Sequence, residues 1–223
     1  MRPFLLVCVL FLACASAAFA RPNMRPFEPF LAASPLPQTQ LVLRDRPGGK
    51  PVATIRGKTE FGSPATVGVA VSRGAWLGVI TTQLPNGVLG WVRRSEVRVR
   101  PVAWSVEISL SRRTLVVRHD GRAVRRVSVG IGAAGSPTPA GRYVVTDHID
   151  PGGESAIYGC CILALSGHQP HPPAGWDGSR DWRLAIHGGA TGAVSAGCVH
   201  ADETTLRMLM RLTPLGMPVT VTR

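Results

Sequence analysis

The sequence has few cysteines, few acids and no apolar run of membrane-spanning length. Of its five cysteines, Cys8 and Cys14 lie in the first twenty residues. The other three, Cys160, Cys161 and Cys198, are an odd number. That excludes a disulfide-stapled miniature fold and leaves at least one thiol unpaired in a monomer. Acids are scarce, with 13 Asp and Glu against 25 Lys and Arg, for a formal charge of +12. Such a chain is drawn to polyanions, whether nucleic acid, anionic wall polymers or a membrane surface. The N-terminal apolar run, Phe4 to Ala13, is too short to cross a bilayer comfortably. Helical periodicity is nearly missing too, and there is no internal repeat. Core material is not lacking: 45% of the residues are hydrophobic and only 17% charged, which excludes a disordered polymer.

What is present begins with an export pattern. MRPFLLVCVLFLACASAAFA has an early arginine, an apolar run and the small-x-small end Ala18-Phe19-Ala20. Residues 1–20 read as a signal peptide cleaved after Ala20, which sends the protein to the cell wall or periplasm. A lipid on Cys14 or a retained anchor are the alternatives, and such an anchor would be the chain's one tie to a membrane. Cleavage removes only Arg2 among the charges, leaving +11. Export excludes nucleic acid and leaves anionic wall polymers as a partner. Residues 21–40 hold five prolines and read as an extended linker.

Twenty-five glycines and 19 prolines between short apolar runs predict a mainly β protein. Residues 41–100 hold five short strand patterns, two of which start with Trp76 and Trp91. They predict a small barrel, and the RxRP…G…WLGV…GWV spacing resembles the bacterial SH3-like domain. In that family such modules bind peptidoglycan or pack on a catalytic domain; core packing of Trp76 and Trp91 is the competing role. The second domain, 101–223, opens on a hairpin whose turn is Asp120-Gly121. Arg118, Arg122, Arg125 and Arg126 cluster there, either as a solvated face or as a contact for anionic polymer. AIYGCCILAL reads as a strand buried on both faces, with Cys160 and Cys161 as small core residues pointing opposite ways. A vicinal disulfide, or a metal site with His168 and His171, is the alternative. Ser166 to Trp182 has no periodicity and reads as a lid. One helix is predicted over Ala201 to Thr213, with Asp202 as its N-cap.

The stretch HGGATGAVSAGCVH, His187 to His200, poses the chemical question. Cys198 stands among small residues that leave room for a substrate at sulfur, just ahead of the predicted helix. Unpaired N–H groups there would lower a thiol pKa and hold an oxyanion. His187, at the end of a predicted strand, is a candidate base for it. A buried cysteine with an unrelated histidine is the alternative.

I-H-G…S-x-G-C-V resembles the catalytic motif of the L,D-transpeptidases, the YkuD family. VEISLSRRTLVV, Thr138-Pro139-x-Gly141, Ile157-Tyr158-Gly159 and the closing GMPVTV match that family's other motifs in order, from about Val102 to Arg223. The resemblance implies a YkuD-like β-sandwich behind the SH3-like barrel. It implies that Cys198 attacks a peptidoglycan stem peptide, expels D-alanine and passes the acyl group from a thioester to an amine of a second stem. His187 would be the base, and the Gly188 carbonyl would orient its ring. The N–H groups of Gly197 and Cys198 would hold the oxyanion, with no metal or organic cofactor. Ser195, His200, Tyr158 and Arg183 are candidate substrate contacts. Two positions depart from the family: Ala196, where histidine or lysine is common, and His200, where arginine is usual. Arg183 or Arg142 would supply the missing charge. Hydrolysis of the same thioester, its transfer to a protein lysine, and a non-catalytic wall-binding module are the rival functions.

Overall fold

The computed structural model describes residues 29–37, 40–175 and 182–223. The signal peptide and the first part of the proline-rich segment lie outside the described residues.

The described residues form two sheets. The first has seven strands: β1 (Phe30–Pro35), β2 (Leu41–Arg44), β3 (Pro51–Ile55), β4 (Val67–Arg73), β5 (Trp76–Ile80), β6 (Gly90–Arg93) and β7 (Val97–Val102). Their order is β3-β2-β6-β5-β4-β1-β7. Leu41, Leu43, Leu77, Val79 and Val92 are fully buried in its core. Residues 30–35, read from sequence as linker, instead form β1 and pair with the whole of β7, from Phe30↔Val102 to Pro35↔Val97. Prolines concealed this strand. Pro35 is its last residue and Pro101 sits in β7 at the sheet edge, positions where a missing N–H costs no ladder bond.

The second sheet comprises β8 (Trp104–Ser109), β9 (Thr114–His119), β10 (Arg122–Ser128), β11 (Gly130–Gly132), β12 (Gly141–Ile149), β13 (Ile162–His168), β14 (Arg183–His187), β15 (Gly192–Ser195), β16 (Val199–His200) and β17 (Pro218–Thr222). Its order is β10-β9-β8-β17-β12-β13-β14-β16-β11-β15. The β9–β10 hairpin turns at Asp120 and Gly121, both at positive φ. Ile108, Leu115, Leu163, Leu165 and Ile186 share one core, so the two halves of the sheet face each other across it. Leu206 and Leu209 of α2 (Glu203–Leu212) close that core, and Asp202 caps the helix by accepting from the Thr205 N–H. A single short turn of helix, α1 (Ser155–Tyr158), precedes β13.

Cys160 and Cys161 do not enter a strand, because β13 begins only at Ile162. They form a vicinal disulfide in the turn after α1, the alternative weighed for them above. Cys198 is then the one free thiol among the described residues.

The two sheets are tied by side chains of the first. Asn86 clasps the His168 backbone, donating to its carbonyl at 2.7 Å and accepting from its N–H at 2.9 Å. Thr59 donates to the buried Asp147, and Glu60 pairs with Arg183. Arg100 donates to the Leu215 carbonyl. A cavity of about 270 Å³ at this junction, lined by Asn86, Arg142, Tyr143 and Ser166 among others, does not reach Cys198 or His187.

Candidate active site

β14 and β16 run parallel, with His187 beside His200 and Ile186 beside Val199. That register brings the loop carrying Cys198 against the end of β14. The Cys198 side chain meets the backbone of Ala185, two residues before His187. The thiol and the imidazole therefore stand at the same end of the same sheet.

His187 is buried. Its Nδ1 lies 2.7 Å from the Gly188 carbonyl oxygen. A carbonyl can only accept, so Nδ1 carries the proton and Nε2 of the neutral ring is left as a base. Burial, opposed by that backbone bond and reinforced by the charge of His200, pushes the His187 pKa down to about 4. The ring is held by the edge of Tyr158 at 5.1 Å and by His200 at 4.7 Å between ring centroids. The Tyr158 backbone carbonyl accepts from the Gly188 N–H at 2.7 Å. Gly188 must lack a side chain here: a Cβ would lie 2.8 Å from the Gly159 Cα.

Cys198 departs from expectation in its electrostatics. The helix predicted to lower its pKa starts only at Glu203 and is already capped by Asp202. Burial pushes the thiol up, and the backbone hydrogen bond with Ala185 only partly offsets this. The resting pair is therefore a neutral thiol and a neutral imidazole, not a thiolate and an imidazolium.

The loop before the sulfur is pinned at each residue. Ser195 Oγ donates to the Cys198 carbonyl at 2.6 Å and accepts from the Gly197 N–H at 3.1 Å. Ser195 thus closes the loop rather than facing a substrate, and the Gly197 N–H expected in the oxyanion site is already engaged. Two buried side chains grip the carbonyls on the other side. Thr138 Oγ1 donates to Gly197 O at 2.8 Å, and Gln169 Nε2 donates to Ala196 O at 2.9 Å. Neither was singled out from sequence: Thr138 stood inside a motif without a role, and Gln169 lies in the aperiodic stretch where nothing marked it.

The expected substrate contacts divide. Tyr158 and His200 do meet at His187, and His200 Nδ1 donates to the Ala190 carbonyl at 2.9 Å. Arg183 does not serve the site. Its guanidinium is spent on Glu60, Thr146 and the Leu165 carbonyl, with the side chain only 8% exposed. Arg142 lines the junction cavity instead. His168 Nε2 lies 2.9 Å from the Thr82 carbonyl, and among the described residues no three His, Cys, Asp or Glu side chains are grouped to hold a metal ion.

An L,D-transpeptidase from Stackebrandtia nassauensis is 20% identical over 54% of this chain and 56% of its own, with a TM-score of 0.40. L,D-transpeptidase 3 of Mycobacterium tuberculosis, solved with a faropenem-derived adduct, is 18% identical over 60% and 73%, with a TM-score of 0.43. An L,D-transpeptidase from Mycobacterium smegmatis is 12% identical over 88% and 100%, with a TM-score of 0.45. The chain thus spans little more than half of the Stackebrandtia protein. No curated protein shows significant similarity to it. The family model of the L,D-transpeptidase catalytic domain, YkuD, matches residues 103–221, more than half of the sequence, and the chain belongs to that family.

Proposed function

We propose that the protein is an exported, cysteine-dependent L,D-transpeptidase that crosslinks peptidoglycan stem peptides through a thioester on Cys198. The observation that carries this reading is the imidazole of His187, fixed by the Gly188 carbonyl with its Nε2 unprotonated, at the same sheet end as Cys198, the one free thiol among the described residues.

Because thiol and imidazole are both neutral at rest, proton transfer accompanies attack. Cys198 Sγ bonds to the substrate carbonyl carbon while its proton moves to His187 Nε2. The tetrahedral oxyanion collapses, the C–N bond to D-alanine breaks, and His187 returns the proton to the leaving amine. The amine of a second stem then attacks the thioester, again with His187 as base, and the thiol is restored. The burial that raises the thiol pKa also keeps His187 neutral, so the base is ready across the ordinary pH range.

The N-terminal sheet is proposed to seat the catalytic sheet rather than to bind wall through its tryptophans. Trp91 is 7% exposed, and Arg73 and Arg93 lie over Trp91 and Trp76 at 5.2 and 4.7 Å. Anionic wall polymer remains the proposed partner of the basic surface.

Incubation of the pure protein with a stem tetrapeptide and an acceptor stem tests the reading by mass spectrometry. A crosslinked product and a thioester adduct on the wild type, both lost in Cys198→Ala, are expected. Hydrolysed tripeptide alone would make the protein a carboxypeptidase. Neither product would remove the catalytic reading.

A further inference from the structure

The two peptide groups ahead of the nucleophilic sulfur are each held from behind by a buried side chain. The peptide bonds are trans, so carbonyl and N–H of one peptide unit point in opposite directions. Gripping a carbonyl therefore aims the N–H that shares its plane. Thr138 Oγ1 holds the Gly197 carbonyl, whose partner in the plane is the Cys198 N–H. Gln169 Nε2 holds the Ala196 carbonyl, whose partner is the Gly197 N–H.

Both side chains have their donors engaged. Thr138 Oγ1 also accepts from the Gly132 N–H at 2.8 Å, so its donor and acceptor directions are both set. Gln169 Nε2 further reaches the Ser136 and Pro137 carbonyls at 3.2 Å each, and its Oε1 accepts from the His171 N–H at 3.0 Å. Both residues are buried, at 5% and 7% exposure. A polar group held at such burial must have its bonds made or it destabilises the fold, so the network has one arrangement. Gly197 sits tightly on it: with φ at +120°, an added Cβ would fall 2.0 Å from Gln169 Nε2.

We infer that Thr138 and Gln169 are positioning residues that hold the nucleophile loop so that the Cys198 amide is the oxyanion donor. The inference rests on the acyl-enzyme reading above and sharpens it. The Gly197 N–H, turned by the same network onto Ser195 Oγ, is an internal brace and not a second donor. Preorganisation of this kind matters only when negative charge develops on the substrate oxygen. It does not matter when the same sulfur displaces a halide from an alkylating reagent, a step that makes no oxyanion.

The test exploits that difference. Acylation of Cys198 by faropenem, which passes through a tetrahedral oxyanion, is timed by intact mass. Alkylation of Cys198 by iodoacetamide is timed in parallel on the full chain. Losing an oxyanion donor costs on the order of 10²-fold. Thr138→Val is expected to lose about that factor in acylation, Gln169→Met about tenfold, and Thr138→Ser, which keeps the hydroxyl, less than about threefold. Alkylation should stay near the wild-type rate in all three. Wild-type acylation rates in Thr138→Val and Gln169→Met would overturn the inference. So would a parallel fall of acylation and alkylation, which marks mere disordering of the loop. If Thr138→Val does not fold, Gln169→Met decides by the same comparison. Failure of the wild type itself to acylate, with alkylation intact, sinks the acyl-enzyme reading and the inference with it.

Discussion

At the scale of single residues, the environment of His187 sets a pH dependence. Burial holds its pKa near 4, so the imidazole stays an unprotonated base far below the range of an ordinary histidine. Acylation of the free enzyme should therefore be level from neutral pH to about 5 and fall as pH drops through about 4. His200 contributes by repelling a charge on His187. His200→Gln should raise the His187 pKa and move the acid limb to higher pH, and an unmoved limb in the pH–rate profile would remove that coupling. Stability carries the same sign. Between the unfolded value near 6.5 and the folded value near 4, the unfolded chain binds a proton that the folded chain does not. His187 thus destabilises the fold progressively as pH falls through that window. Replacing the base altogether, in His187→Ala, should slow acylation by about 10²–10⁴-fold while slow labelling by strong thiol reagents persists.

At the scale of elements, the positions around the site depend on how α1, β14 and α2 end. The turn after α1 grips His187 and Gly188 through the Tyr158 carbonyl and ring and the Gly159 Cα, not through sulfur. Opening the disulfide by Cys160→Ser with Cys161→Ser is expected to lower the melting temperature yet leave acylation per folded molecule close to wild type. Acylation lost without loss of folding would give the sulfurs a part in the chemistry. Helix α2 depends on its cap. Asp202 accepts from the Thr205 N–H at 2.9 Å and the Thr205 hydroxyl at 2.5 Å, and pairs with Arg125 of the β9–β10 hairpin at 3.3 Å. Asp202→Ala should cost about 1 kcal/mol and lower the melting temperature by about 2–4 °C, read by thermal denaturation.

At the scale of the whole molecule, side chains of the N-terminal sheet hold the C-terminal one at several points. Asn86, from the loop between β5 and β6, binds both backbone groups of His168, the neighbour of Gln169. Glu60 neutralises Arg183, which is otherwise enclosed at the foot of β14. Thermal unfolding should show one transition by far-ultraviolet and tryptophan signals together. Asn86→Ala, which removes both of these bonds to the His168 backbone, should shift it by about 1–2 kcal/mol, with both signals moving in step. Two separate transitions would mean that the sheets are independent and that the junction contacts contribute little.

Much was determined by sequence alone where local chemistry decides. The Asp120-Gly121 turn follows from a dipeptide that tolerates positive φ, and α2 from a 3.6-residue apolar stripe behind Asp202. Cys198 and His187 stood out as candidates from the order of motifs and the small residues between them, and the Gly188 carbonyl, which the family resemblance implied as the partner of the imidazole, lies 2.7 Å from His187 Nδ1. Other features depended on partners distant in the chain. Residues 30–35 are a strand because β4 and β7 pair with them from either side, through residues 67–69 and 97–102, and periodicity does not see such pairing. Arg183 is removed from the site by Glu60, 123 residues away. The thiol pKa rises rather than falls because burial, a property of the packed molecule, outweighs a helix start that comes too late to act. Thr138 and Gln169 reach Gly197 and Ala196 from 59 and 27 residues away, so their roles arise from hydrogen-bond geometry that exists only once the loops are folded against each other.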